Sequence, residues 1–263
     1  MPRPVFVVTG PRSGSTLVVA LLDSHPRIAM TNEAAWVTFL RKAFLLASTP
    51  SSQAIDDGEG FATPGILPER YTENFAYSFL TTLRPFVTDF YRRVGGGDCD
   101  LFGDKILSCN DLAFAIRHFP EAAFVQLVRD PRDVIASTFA HQKVNPASWL
   151  ESAFATRVDH MERFLRETHG MLAGKDSFFL RYEDLITDLE GKTAAMLAAL
   201  GLEVTDEVRA YQRDAAGKLF RSHGTSESPA ASVGRWRTDF TAEQQAMAAD
   251  RLGDQLRRLG YEV

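Results

Sequence analysis

The stretch Val5-Phe-Val-Val-Thr-Gly-Pro-Arg-Ser-Gly-Ser-Thr-Leu-Val-Val-Ala-Leu-Leu-Asp23 decides the fold. Val5–Thr9 is a continuous β-branched and aromatic run, as expected of a strand buried on both faces. Gly10-Pro11 breaks it, and Ser15–Ser24 has the apolar spacing of a helix packed on a sheet. A strand that turns through glycine into a helix gathers backbone N–H groups and a helix N-terminus around one point, a site for a dianionic group. Gly10 and Gly14 supply the freedom the turn requires. Arg12 adds a fixed charge with bidentate geometry, and Ser13, Ser15 and Thr16 add hydroxyl donors. A nucleoside-triphosphate loop reads G-x-x-x-x-G-K-[ST]. Here the run from Gly10 to Gly14 is one residue too short, and Ser15 stands where the lysine belongs. An ordinary strand-to-helix turn with a serine cap has the same pattern, so this loop alone does not name its ligand.

A second stretch, Ala123-Phe-Val-Gln-Leu-Val-Arg-Asp-Pro-Arg-Asp-Val-Ile-Ala-Ser137, repeats the design: a strand ends in Arg129 and turns into a helix carrying Ser137. Two strand–turn–helix anion sites in one sheet suit a ligand with phosphates at two places. The plainer alternatives are an Arg129 ion pair with Asp130 or Asp133, and a Ser137 that merely lies on a helix surface.

Around these stretches the chain alternates strands and helices. Helices are expected near 34–47, 69–93, 111–118, 133–141, 147–168, 188–200 and 205–216, with further strands from Leu101 and over Ser177–Leu180. Phe75, Phe79, Phe86 and Phe90 recur at helical intervals and are expected to fill core. Thr241 is placed to cap a last helix running to about Leu259. Residues 48–68 and 218–234 are rich in Ser, Gly and Pro and read as loops, the first a candidate mobile lid. The expectation is one α/β domain over residues 1–263: three layers, a central, mostly parallel sheet, helices on both faces and ligands at the carboxyl ends of the strands.

Bulk properties set the class. A chain of 263 residues with 45% hydrophobic and 24% charged residues is ordinary for a globular protein. A net charge of −5 gives no reason to expect nucleic acid as a partner. Cys99 and Cys109 make neither a disulfide framework nor a metal-ligand spacing, and no acidic metal cluster is recognisable. With apolar strand residues starting at Val5 and no run long enough to span a bilayer, no signal peptide is expected and the cytoplasm is the expected location.

With both anion stretches in hand, the chain resembles the sulfotransferases that use 3′-phosphoadenosine-5′-phosphosulfate (PAPS). Pro11-Arg-Ser-Gly-Ser-Thr16 is similar to their P-loop-like 5′-phosphosulfate turn. Val128-Arg-Asp-Pro-Arg-Asp-Val-Ile-Ala-Ser137 is similar to their 3′-phosphate site, with Arg129 and Ser137 as ligands. Gly103-Asp-Lys105 resembles the lysine-bearing strand end, Arg181-Tyr-Glu-Asp-Leu185 the adenine-side tyrosine segment, and Val233-Gly-Arg-Trp-Arg237 the cofactor-covering loop. The branch it most resembles includes protein-tyrosine sulfotransferases, in which a glutamate after the first helix acts as base. The matching segment here is Thr31-Asn-Glu33. Two departures are Ser15, where Thr is more usual, and Ile106-Leu107, where Thr-Pro is common.

The resemblance implies in-line transfer of a sulfuryl group from PAPS to a hydroxyl, less readily an amine, with no metal. Arg12 and Lys105 would face the leaving oxygen, Glu33 would take the acceptor's proton, and Tyr182, Arg235 and Trp236 would enclose the nucleotide. His223 is the alternative base. A core tyrosine at a strand end and a helix-packing tryptophan are the plainer readings of Tyr182 and Trp236. Aromatic residues between Glu33 and Lys105 point to a small, amphiphilic or phenolic acceptor rather than a sulfated glycan. A homodimer is compatible with the sequence. The competing readings are a P-loop small-molecule kinase, which would want a loop lysine and a carboxylate for magnesium, and a nucleotide-binding protein without catalysis.

Overall fold

Val5 and Val7 pack to one side of a central strand, Phe6 and Val8 to the other. This alternation builds two hydrophobic layers from a single run of sequence. The computed structural model describes residues 2–48, 69–95, 97, 99–144, 154–214 and 228–263. Five strands, β1 (Arg3–Val8), β2 (Ile28–Met30), β3 (Leu101–Ile106), β4 (Ala123–Val128) and β5 (Ser177–Arg181), form one sheet in the order β2-β3-β1-β4-β5, every pairing parallel.

Helices follow the strands: α1 (Ser15–Asp23), α2 (Trp36–Ser48), α3 (Glu69–Val94), α4 (Cys109–His118), α5 (Pro131–Val144), α6 (Phe154–Leu172), α7 (Tyr182–Thr187), α8 (Leu189–Ala199), α9 (Asp206–Asp214), α10 (Trp236–Asp239) and α11 (Ala242–Arg258). One face of the sheet packs Val5, Val7, Val125 and Leu127 against α1, α8 and α9. On the other, Phe6, Phe102 and Phe124 meet Trp36, Tyr91, Leu112 and Phe119 in a connected aromatic cluster. A third cluster joins α5, α6, α10 and α11 through Ile135, Phe164, Trp236 and Leu252. Thr241 caps α11 in a reciprocal capping box with Gln244, as its position in the sequence suggested.

The three-layer parallel architecture is the expected one. Differences lie in small elements. β2 was not foreseen, because three residues carry no periodicity to read. Phe86 and Phe90, expected in the core, are exposed at 66% and 41%. The buried stripe of α3 runs through Val87 and Tyr91, one residue and hence about 100° further round the helix. The side chains of Phe75 and Phe79, residues 49–68 and most of the 218–234 loop lie outside the described residues.

Candidate active site

The sheet order turns a scattered set of sequence positions into one row. From edge to edge, the carboxyl ends of β2, β3, β1, β4 and β5 lead to Glu33, Lys105, Arg12, Arg129 and Tyr182. β1 and β4 lie side by side where the chain leaves the sheet in opposite directions, the place where parallel sheets open a crevice.

The turn after β1 holds an N-terminus ready for an anion. Gly14 caps α1 in left-handed conformation (φ 89°), with no side-chain cap and no acidic residue in the first turn. The leading N–H groups of α1 are therefore not neutralised by their own segment. A Cβ at Gly14 would sit 2.5 Å from the Tyr182 ring, so only glycine fits over that tyrosine. The other left-handed residue of the turn is Arg12 (φ 61°), whereas Gly10 has no positive φ. The freedom expected of Gly10 is thus taken at Arg12 instead.

Arg129, 6% exposed, reaches from the end of β4 into the same turn. Its Nη1 donates to the carbonyl of Arg12 at 3.0 Å, its Nη2 to the carbonyl of Ser232 at 2.5 Å, and its guanidinium lies 4.9 Å from the Tyr182 ring centroid. The ion pairs considered for it are not made: Asp130 pairs with Arg132, and Asp133 accepts from the backbone N–H groups of Gly234 and Trp236. The buried Arg129 Nε has no hydrogen-bond partner among the described residues. Arg12 Nε is 3.4 Å from Ser137 Oγ, and Ser137 is itself buried. Burial, reinforced by the nearby charges of Arg129 and Arg235, pushes the Arg12 guanidinium below its ordinary pKa. Arg12, Arg129 and Arg235 thus bring like charge together, Arg235 also pairing with Asp239, and an anion entering that field is attracted to it. A group with separated phosphates fits that field, the Arg129 Nε and the N-terminus of α1, which has no side-chain cap.

Next along the row, Lys105 Nζ pairs with Glu33 Oε1 at 2.7 Å; the lysine side chain is 6% exposed and the glutamate side chain 60%. Glu33 and Ala35 both take left-handed backbone, with φ of 65° and 55°. Asp104 accepts from the N–H groups of both residues and of Lys105 at 2.8–3.0 Å. Asp104, Asp133 and Ser232 belong to this arrangement, although the sequence gave Asp104 and Ser232 no role and Asp133 only that of a possible ion-pair partner of Arg129. The signal was present for Asp104 and Asp133, since acids flanked by strand or helix apolar residues must find donors when buried.

Two residues expected to enclose the nucleotide lie deeper than that description implies. Tyr182 is 3% exposed beneath Gly14, its hydroxyl 3.3 Å from Ser232 Oγ. Trp236 is 7% exposed in the third core cluster, with the Arg132 and Arg237 guanidinium groups 3.9 and 4.5 Å from its ring centroid. Arg235 pairs with Asp239 at 2.8 Å and adds to the positive field at Arg12. His25 is buried and shares hydrogen bonds with Glu203 and Arg27, and His223 lies outside the described residues. Among the described residues, no helix is long and apolar enough to cross a membrane.

A sulfotransferase family model matches residues 4–206, more than half of the chain and every strand of the sheet. The chain belongs to the sulfotransferase family. Among curated proteins, it is similar to omega-hydroxy-beta-dihydromenaquinone-9 sulfotransferase Stf3 of Mycobacterium bovis, 28% identical over 158 residues, 55% of this chain. The Mycobacterium tuberculosis protein of that name matches equally. The match spans only 37% of the length of these relatives. Among solved structures, the sulfotransferase domain from the curacin biosynthetic pathway superposes with a TM-score of 0.60 at 16% identity, covering 100% of this chain and 99% of that one. Mouse sulfotransferase SULT7A1 complexed with PAP gives 0.57 at 15% identity, covering 98% and 88%. At such identities the two structures speak for the fold alone.

Proposed function

We propose that this sulfotransferase-family member transfers a sulfuryl group from PAPS to a hydroxyl of a small or amphiphilic acceptor. The observation that carries the reading is the contact between Arg129 and the carbonyl of Arg12, which joins the turns after β4 and β1. At the end of the neighbouring strand β3, a buried lysine pairs with an exposed glutamate. The donor supplies the sulfuryl group; the chain supplies position, charge and a proton acceptor.

The turn amides of residues 12–16, with the hydroxyls of Ser13, Ser15 and Thr16, hold the 5′ end. Arg129, Ser137 and Arg235 hold the 3′-phosphate. Tyr182 supports the loop from below through Gly14, and Trp236 anchors the covering segment. Glu33 takes the acceptor's hydroxyl proton as that oxygen bonds to sulfur. The bond from sulfur to the bridging oxygen breaks, and its electron pair stays on the bisphosphate, facing Lys105 and Arg12. As the Lys105 ammonium turns its hydrogen bonds from Glu33 to the negative leaving oxygen, Glu33 is released from its ion pair.

A relative named for a hydroxylated menaquinone supports a lipophilic alcohol as acceptor. The test is release of adenosine 3′,5′-bisphosphate from PAPS with 4-nitrophenol, a long-chain primary alcohol, an ω-hydroxylated isoprenoid quinol and a heparan-type oligosaccharide. Turnover with the phenol or lipid alcohols and not the oligosaccharide is expected. The opposite pattern rejects the acceptor class. Magnesium-dependent phosphoryl transfer from ATP, with PAPS inert, rejects the reaction in favour of a kinase.

A further inference from the structure

Asp104 is a carboxylate sealed inside the molecule, 1% exposed, on the face of β3 that also carries Phe102 and Ile106. Three backbone N–H groups satisfy it. Oδ1 accepts from Glu33 at 2.9 Å and from Lys105 at 2.8 Å, and Oδ2 accepts from Ala35 at 3.0 Å. Two of those donors belong to residues in left-handed conformation, Glu33 and Ala35. Residues with a Cβ resist that conformation, and a turn containing two of them persists only where its surroundings over-determine it. A buried carboxylate reaching both N–H groups does so. Side chains alternate along a strand, so Asp104 leaves one face of β3 while Lys105 leaves the other. A single dipeptide therefore carries both the cation of the Glu33–Lys105 pair and the clamp on the glutamate's backbone.

We propose that Asp104 is a positioning residue: it locks the turn at 33–35 so that the Glu33 carboxylate stands against Lys105, aligned to receive the acceptor's proton. The inference rests on Glu33 being the base. It assigns Asp104 no contact with donor or acceptor. Its effect passes through the turn that carries Glu33, the bond to the Lys105 N–H being local to the strand, and that is what makes it separable from a general structural role.

Asp104→Asn is a specific probe. The amide keeps one oxygen acceptor and turns an NH2 group toward a backbone N–H, so that donor faces donor. The experiment is a cycle of Glu33→Gln, Asp104→Asn and the double variant, assayed with PAPS and the fastest acceptor of the panel above. Calorimetric binding of adenosine 3′,5′-bisphosphate and melting temperature are measured beside it. Asp104→Asn is expected to lower kcat roughly 10- to 100-fold, while the KM for PAPS and the affinity for bisphosphate move less than about two-fold. In the Glu33→Gln background the same change should alter kcat by less than about two-fold.

If Asp104→Asn does not fold, the cycle is run with Ala35→Gly added, since glycine removes the cost of the left-handed position that the carboxylate restrains. A wild-type kcat for Asp104→Asn overturns the inference. So does a loss that multiplies with that of Glu33→Gln, or one seen as weakened bisphosphate binding. Normal turnover by Glu33→Gln alone removes the glutamate as base and takes the inference with it. That pattern is distinct from a slow Glu33→Gln enzyme with an additive Asp104.

Discussion

Arg129 Nη1 donates to the backbone carbonyl of Arg12 at 3.0 Å, tying the carboxyl ends of two neighbouring strands together. Arg12 is the non-glycine residue that takes left-handed backbone in the first turn, so the bond restrains a conformation that costs such a residue about 1–2 kcal/mol. The second bond, from Nη2 to Ser232, draws the segment before α10 over the same guanidinium. Arg129 is therefore both a ligand candidate and the knot of the pocket.

Arg129→Lys keeps the charge and loses the fork that reaches both carbonyls. Affinity for adenosine 3′,5′-bisphosphate should fall roughly 10- to 100-fold, the value of one or two charge-assisted bonds. At saturating PAPS, kcat should stay within about three-fold of wild type. Calorimetry and initial rates check both; a large loss of kcat with intact affinity would place Arg129 in the chemistry instead.

Glycine substitutions separate the two glycines of the first turn. Gly14→Ala places a methyl 2.5 Å from the Tyr182 ring at a φ of 89°, so the ring or the turn must move. Its melting temperature and bisphosphate affinity should both drop. Gly10→Ala meets nothing closer than 3.7 Å and needs no positive φ, so its binding should be near normal. Equal sensitivity at the two positions would contradict the described turn.

Asp133 gives a pH dependence. It is fully buried, and burial pushes its carboxyl up to about 6, with the neighbouring Asp130 adding to the effect while the N–H groups of Trp236 and Gly234 and the charge of Arg129 oppose it. Folding raises this pKa, so the native state holds more protons than the unfolded chain between about pH 4 and pH 6. The stability associated with Asp133 is thus full at low pH and lost as pH rises through about 6. Relative to Asp133→Asn, the wild type should lose up to about 3 kcal/mol between pH 4 and 7. Denaturant titrations across that range test it, and a difference that grows with pH would have the wrong sign.

Lys105 should matter for rate more than for binding. Lys105→Gln removes the cation 2.7 Å from Glu33 and the charge facing the leaving oxygen. A loss of kcat on the order of 100-fold is expected, with bisphosphate affinity changed much less. Initial rates at saturating PAPS, paired with calorimetry, decide this.

Much of the site was legible because it lies at strand ends. Runs such as Val5–Thr9 and Ala123–Val128 announce themselves by composition; Arg129 follows one directly and Arg12 lies in the turn after the other, whereas Lys105, inside β3, was matched through resemblance. The β2 strand, only Ile28–Met30, offers no such run, so Glu33 could be matched through resemblance but not placed beside Lys105. Burial was the other unreadable quantity. Tyr182 and Trp236 each have an apolar body and a polar tip, and nothing in the sequence says whether such a ring lines a pocket or supports it from behind. Helix phase misled at Phe86 and Phe90, because a one-residue choice of stripe decides which aromatics of α3 face the core. Asp104 and Asp133 show the reverse case: apolar neighbours signal that each acid must find donors, but nothing in the sequence says that these include backbone N–H groups at 33 and 35, or at 234 and 236.

The central claim is that the turns after β1 and β4 grip the two phosphate-bearing ends of one nucleotide. Its most direct test is a melting-temperature comparison of the protein with adenosine 3′,5′-bisphosphate, AMP and ATP, each at matched concentration. At about a hundred-fold excess over its Kd the bisphosphate should raise the midpoint by roughly 5–10 °C, AMP and ATP much less, and Arg129→Lys should erase most of the difference. Equal or greater stabilisation by ATP, with no preference for the 3′-phosphate, would contradict the account.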